Sequence, residues 1–171
     1  MGQNFNDTFV VFDLETTGFS AEVDRIIEIG AVKIKNGEIV DNFRKFVNPK
    51  IPIPFRIEKL TGINDSMVME AEPIEKILPE FLEFCGDAVM VAHNAGFDTS
   101  FIINNAERLG IKYDPTIMDT VLLAQFVIPN LHNYKLDTLC KHLAVSLENH
   151  HRAVDDAQAA AYIYLKMVKM L

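Results

Sequence analysis

Three short segments of this 171-residue chain carry side chains that could do chemistry together. Asp13 and Glu15 are one residue apart, and in an extended strand residues i and i+2 face the same way, so the spacing predicts two adjacent carboxylates. Like charges held that close repel unless a cation lies between them. Thr16, Thr17 and Gly18 follow, a turn whose amides and hydroxyls are expected to be free to meet a ligand. In the second segment His93 and Asn94 precede Asp98, which is expected to open a helix; capping is the ordinary use of an aspartate there. In the third, His151 stands five residues ahead of Asp156, about one and a half helical turns, so the two share a helix end and not a face. Each pattern is weak in isolation: with 12 Asp and 12 Glu in the chain, chance supplies about one D-x-E pair. A parallel neighbouring strand, however, would bring the end of the second segment's strand beside Asp13 and Glu15, so that Asp98 converges on that pair as a third carboxylate.

The surrounding pattern predicts the elements that place them. Residues 8–12 are a short apolar run of the kind buried on both faces of a sheet, which puts Asp13 and Glu15 at its C-terminal end. Residues 26–34 and 38–47 read as two strands joined at Asn36-Gly37, a strong hairpin signal. Pro49, Pro52 and Pro54 then break regular structure. A helix is expected from Pro73 to Gly86, with Ile74, Ile77, Leu78, Phe81 and Leu82 on one face and a kink or restart at Pro79. A buried strand at 88–92 leads to a helix from Asp98 to Leu109, stopped by Gly110. A short strand near 116–118, helices at about 120–127 and 135–143, and an Ala-rich helix at about 153–170 complete the reading. Hairpin strands followed by strand–helix alternation predict an α/β fold, a mixed sheet with helices on its faces, in a single domain spanning 1–171.

Composition narrows the class. A chain that is 49% hydrophobic and 23% charged is globular, and its length suffices to bury about 70% of the unfolded surface. Cys85 and Cys140, without a C-x-x-C pair, argue against a disulfide scaffold or zinc ribbon and are expected to be reduced and buried. No apolar run approaches 18 residues and no signal peptide is legible, so a soluble, cytoplasmic protein without a membrane partner is expected. His132, His142 and His150 read as surface or packing residues. The net charge of −8 argues against a broad nucleic-acid surface. The excess lies in residues 61–120, which hold 11 acidic and 3 basic side chains.

Taken in order, Asp13-x-Glu15-Thr16-Thr17-Gly18, His93-Asn94-Ala95-x-Phe97-Asp98 and His151-Arg152-Ala153-x-x-Asp156 resemble the three motifs of the DnaQ-like, DEDDh 3′–5′ exonucleases. Histidine at 151 places the chain with the histidine branch of that family and not the tyrosine branch. Leu60-Thr61-Gly62-Ile63, Met118-Asp119-Thr120 and Leu136-Asp137-Thr138-Leu139 resemble its connecting signatures. The likeness covers about residues 8–168 and is strongest to the proofreading exonucleases of bacterial DNA polymerase III, notably the domain built into PolC-type polymerases.

This resemblance implies a ribonuclease H-like fold, with an antiparallel three-stranded meander and two further strands parallel to the first. It implies that Asp13, Glu15, Asp98 and Asp156 hold two divalent metal ions, Mg2+ or Mn2+, with Asp13 best placed to bridge them, and that His151 is the general base. Thr16, Thr17 and Gly18 would hold the terminal 3′-hydroxyl and sugar through backbone amides, Arg56 and Thr61 would border the last nucleotide, and His93 and Asn94 would lie near the phosphate or metal. Ile63 or Phe55 would act as an apolar wedge between bases, or else pack in the core. The implied partners are a single-stranded DNA 3′ end and a replicative DNA polymerase, in cis as a domain or in trans as a subunit. An RNA exonuclease of the oligoribonuclease or RNase T kind and a helicase-linked exonuclease domain are the alternatives. A non-catalytic nucleic-acid-binding module is disfavoured because all five motif positions are filled. The acidic balance then fits a site that counts on a partner to deliver the strand, with Glu70, Glu72, Glu75, Glu80, Glu83 and Asp87 on a solvated face.

Overall fold

In the computed structural model, which describes residues 8–148 and 150–171, one five-stranded sheet has the order β3-β2-β1-β4-β5. The first residues, where the absence of a signal peptide is read, lie outside the described part. β1 (Thr8–Thr16) sits at the centre because its residues are apolar on both sides, and β2 (Ile26–Lys35) and β3 (Glu38–Phe46) add to it antiparallel. The hairpin between them turns at Asn36 and Gly37, both at positive φ as such a tight turn requires. β4 (Val89–Ala92) pairs parallel with β1, and β5 (Ile117–Asp119) parallel with β4. The expected mixed α/β sheet is therefore the observed one. β1 runs four residues past the apolar segment, so Asp13 and Glu15 lie within the strand rather than beyond it.

Alternation along β1 divides the core into two layers. Val10, Phe12 and Leu14 face one layer with α3 (Ile74–Cys85) and α4 (Ala95–Arg108), whose Phe81, Phe101 and Ile102 are buried there. Val11 faces the other, which holds α5 (Thr120–Val127), α6 (Leu136–His142) and α7 (Ala153–Val168). Asp13 and Glu15 share the parity of Val11 and so look toward α7. Both cysteines are free and buried.

Two local expectations need correction and a third is narrowed. Of the kink or restart expected at Pro79, the restart does not occur, since α3 continues through it. Pro79 is exposed, so the carbonyl it leaves unpaired can be hydrated, while Ile77, Leu78 and Phe81 keep the helix docked. α4 begins at Ala95, three residues earlier than expected, and Asp98 is in its first turn, with Asn94 in the capping position. Finally, the proline-rich stretch leads into two short helices that periodicity did not reveal, α1 (Phe55–Thr61) and α2 (Asp65–Val68). They close a small cluster of Ile27, Ile53, Ile57, Ile63 and Val68. Among the described residues no helix is long and apolar enough to cross a membrane.

Candidate active site

Four carboxylates meet at the C-terminal end of β1. Asp13, Glu15 and Asp156 offer oxygen atoms that all lie within 4.8 Å of one another. Asp98, 3% exposed, joins from α4 on the opposite layer, where its charge acts directly on Asp13. The set therefore sits between the two helical layers, supplied by the central strand and by the first turn of one helix from each side. Repulsion and burial set its electrostatics. Asp13 is raised well above the usual carboxylate range by burial and by the charges of Asp98, Glu15 and Asp156. Glu15 is pushed up to about 9, by burial first and then by Asp156, Glu28 and Asp98, with Arg152 pulling the other way. Asp98 and Asp156 are raised chiefly by burial, which a hydrogen bond with the Leu14 backbone opposes at Asp98 and the His150 hydrogen bond opposes at Asp156. Oxygen ligands crowded in this way, with little countercharge, fit hard divalent cations. The motif resemblance had already grouped these four residues; their convergence in space is a property of the fold.

The two helix starts are held by carboxylates from neighbouring strands. Asp119, at the end of β5, accepts the backbone N–H of Asn94 at 3.0 Å, Ala95 at 3.1 Å and Val121 at 2.8 Å, so it fixes the entry to α4 and caps α5 together. Asn94 takes a left-handed backbone there, φ 63°, where the chain turns into α4, and Asp98 is buried in the helix's first turn. On the other side Glu28 of β2, directly opposite Glu15 in register and fully buried, accepts Ala153 N–H at 2.8 Å and two bonds from the Arg152 guanidinium, 2.9 and 3.3 Å. Gly30 lets α7 come down onto the sheet: a Cβ there would lie 2.2 Å from the Val154 nitrogen. Small residues on α7, Ala153, Ala157, Ala160 and Ala161, are buried along the same approach. Asp119 lies in a segment quoted from the sequence without a role, and Glu28 had no local signal beyond a charge in an apolar strand.

The histidines divide differently from the sequence reading. His151, half-buried at the entry to α7, has φ 72° and donates its backbone N–H to Asp156 Oδ2 at 3.0 Å. Its pKa is lowered by burial first and by the adjacent His150 second. His150 is exposed, as expected of a surface residue, and in addition bonds Asp156 Oδ1 through Nδ1 at 2.8 Å and stacks on His151 with ring centroids 3.8 Å apart. Its sequence signal was only adjacency to a motif histidine. His93 lines the cavity beside Asp13 and Asp156, yet both its ring nitrogens are engaged, Nδ1 with Thr120 Oγ1 and Nε2 with the Tyr134 carbonyl, each at 2.8 Å. Asn94 is exposed and lines the neighbouring cavity.

Several expected substrate contacts are occupied by the protein itself. The Thr16 hydroxyl donates to the Gly18 carbonyl at 2.6 Å, the Thr17 hydroxyl meets Asp24 and the Arg25 amide, and the Thr17 N–H donates to the Arg25 carbonyl. The turn is therefore braced rather than free, because an unpaired buried hydroxyl or amide would be costly. Gly18 packs against the Asp24 carboxylate so closely that a Cβ would overlap it. Thr61 is buried, with its hydroxyl donating to the Ile57 carbonyl and accepting from Ile63 N–H. Ile63 is fully buried, so core packing is its role; Phe55 is 75% exposed. Arg56 is exposed and lies 6.0 Å from the ring of Phe19. Phe19, which the sequence reading passed over, is itself 75% exposed just after the Thr-Thr-Gly turn and touches Phe97 edge-on at 6.3 Å.

Comparison with known proteins places this arrangement. The profile of the RNase_T family, described as exonuclease, matches residues 10–164. A PolC-type DNA polymerase III from Caldanaerobacter subterraneus subsp. tengcongensis is 57% identical over 163 residues, 95% of this chain and 12% of that protein. The corresponding protein of Clostridium perfringens is 54% identical over 161 residues, covering 94% of this chain and 11% of its own length. The chain thus spans about an eighth of the curated relatives it matches. Among solved structures, Exonuclease X in complex with 5′ overhanging duplex DNA is 26% identical with a TM-score of 0.77, covering 94% of this chain and 91% of that one. The nuclease domain of 3′hExo, described as a DEDDh family member bound to rAMP, shares the fold at TM-score 0.84 and 21% identity, over 98% of this chain and 94% of that one.

Proposed function

The chain belongs to the RNase_T exonuclease family, and from that premise we propose that it removes nucleoside 5′-monophosphates one at a time from single-stranded or frayed DNA 3′ ends. In this reading residues 1–171 act as one domain, the proofreading exonuclease of a PolC-type DNA polymerase III, joined in cis to the polymerase it serves. The convergence of Asp13, Glu15, Asp98 and Asp156 carries the chemistry. Identity above 50% to two PolC-type polymerases over nearly the whole chain supports the polymerase context.

Asp13, Glu15, Asp98 and Asp156 would hold two divalent cations, Mg2+ or Mn2+. When bound, such a pair supplies an activated water and neutralises charge on the scissile phosphate and the leaving 3′-oxygen. Asp13, acted on by Asp98, Glu15 and Asp156 alike, would contribute to holding both ions. His151 would take the proton of the attacking water on a ring nitrogen; burial and the adjacent His150 hold its pKa below the ordinary histidine value, which favours the neutral imidazole that role needs. Asp119 and Glu28 hold the helix starts so that Asp98 and Asp156 keep their aim. Phe19 and Phe55, both exposed, offer apolar faces to the terminal bases, and Arg56 a charge beside them. A frayed mismatch reaches such faces at lower unstacking cost than a paired end, which favours errors for removal.

The test uses 3′-labelled matched and mismatched DNA primers and RNA of the same sequence. Mononucleotide release is expected to be fastest from unpaired DNA, to stop in EDTA, and to fall about 10³-fold in Asp13→Ala, the equivalent of several kcal/mol of lost metal assistance. Faster release from RNA would replace the DNA assignment, and release that survives EDTA would refute the metal-dependent mechanism.

A further inference from the structure

We propose that His150, His151 and Asp156 form a separate site for a borderline transition-metal ion, Zn2+ above all, and that filling it shuts the exonuclease off. One ligand atom from each of the three lies within 4.8 Å of the others. Asp156 belongs at the same time to the all-oxygen group with Asp13 and Glu15. One carboxylate thus stands on the border between two ligand sets of opposite character. The oxygen group suits Mg2+ and Mn2+; the imidazole pair with a single carboxylate suits Zn2+, which binds histidine nitrogen far better than Mg2+ does.

The local geometry favours capture. The two imidazoles are stacked at 3.8 Å and tilted only 25°, so their edges lie side by side, and His150 Nδ1 already reaches Asp156 Oδ1 at 2.8 Å. Tetrahedral zinc with bonds of 2.0–2.1 Å spaces its ligand atoms about 3.3 Å apart, so closure asks these atoms, all within 4.8 Å of one another, to approach by at most about 1.5 Å. The His150 side chain is 36% exposed and both histidines border an open cavity of about 780 Å³, which gives an ion a path in and leaves water the fourth position. Asp137 lines that cavity as well and adds negative charge beside the two histidines.

Occupancy has two effects on the same residues. His151 loses the ring nitrogen that would accept a proton from water, and Asp156 is drawn from the oxygen group. The inhibitory half of this proposal rests on the exonuclease reading; the metal site does not.

The experiment titrates the protein with Co2+ and then Zn2+ in the presence of excess Mg2+. One equivalent of Co2+ is expected to give the intense visible bands of a tetrahedral, nitrogen-ligated ion and to be displaced by one equivalent of Zn2+. His150→Gln, checked for folding by its thermal melt, is expected to weaken Zn2+ at least about 10-fold and to raise the Zn2+ concentration that halves Mg2+-supported nucleotide release by the same factor. Asp13→Asn, which leaves the nitrogen set whole, is expected to keep the Co2+ spectrum. Zn2+ affinity unchanged in His150→Gln, an octahedral Co2+ spectrum, or a Co2+ site lost in Asp13→Asn and kept in His150→Gln each overturns the proposal. A protein without any Mg2+-dependent hydrolysis would sink the exonuclease reading alone, since the Co2+ titration needs no activity.

Discussion

The starts of α4 and α7 do the same job by different means. Each presents one aspartate of the site, and each is pinned by a buried or half-buried carboxylate reaching its first backbone amides. At α4 the clamp is Asp119, which holds two amides of the helix entry and a third at α5, with no guanidinium partner among the described residues, and the helix is open at Gly96, where an added Cβ would meet no atom within 4 Å. At α7 the clamp is Glu28, fully buried and shared between an amide and the Arg152 guanidinium, while the helix backbone rests on Gly30. Arg152 also lies over the Phe46 ring at 5.2 Å. One start is thus tied by hydrogen bonds with room to spare, the other by charge and backbone contact with none. The second is the more vulnerable, and it carries both histidines as well as Asp156.

The largest expected effect follows from that crowding. Gly30→Ala must lift α7, because the added carbon overlaps the backbone of Ala153 and Val154. Nucleotide release is expected to fall 10–100-fold with a loss of several degrees in Tm. Gly96→Ala, the matching change in α4, is expected to leave Tm unchanged or raised, since alanine is the better helix former by about 1 kcal/mol. Equal losses in the two variants would erase the contrast.

Next in size is the pair of clamps. Glu28→Ala strands Arg152 and the Ala153 amide together, and breaking a buried pair costs about 3–5 kcal/mol, less here because Arg152 is partly exposed. Asp119→Ala removes only neutral amide partners, for which about 1 kcal/mol per cap is usual. Glu28→Ala is therefore expected to melt lower than Asp119→Ala. Glu28→Gln, which can still accept from Ala153, is expected to recover part of the activity, measured as kcat at saturating Mg2+.

The smallest effect is electrostatic and belongs to the site between the two helices. Folded Glu15 keeps its proton up to about pH 9, whereas an unfolded glutamate loses it near 4.5. The folded state binds more protons throughout that window, so metal-free stability should fall as pH rises from 4.5 towards 9. Glu15→Gln is expected to flatten that slope and to raise the metal-free Tm at pH 8 by about 2 °C or more. A variant that melts lower than the parent at pH 8 would contradict the repulsion described here.

Much of the site was legible because its signals are local. Asp13 and Glu15 are related by strand alternation, and the resemblance of the three segments, in order, to a family's motifs grouped Asp98, His151 and Asp156 with them. The hairpin at Asn36-Gly37 and the strands around it follow from turn chemistry. What escaped has its partner elsewhere in the chain. Glu28 and Arg152 are separated by 124 positions, so neither shows its role until β2 and α7 are in contact. His150 differed from a surface histidine only by facing Asp156, and Phe19 from a core aromatic only by being left uncovered. Thr16, Thr17 and Thr61 had the right chemistry for a ligand, yet folding used their hydroxyls to close turns. Nor could periodicity find α1 and α2, each too short to show a repeat and each stabilised by the small cluster beneath it.

The sequence alone thus determined which groups are available, the strand that carries the first two carboxylates and the order in which the rest arrive, because these depend on spacing along one element. Tertiary structure alone decided their aim: the left-handed turn at Asn94, the descent of α7 onto Gly30, the capture of Ala153 by Glu28 and the stacking of His150 on His151. Those features arise from pairings between distant segments, and from buried polar groups such as Glu28 finding their partners there. Neither is written in any single stretch of chain.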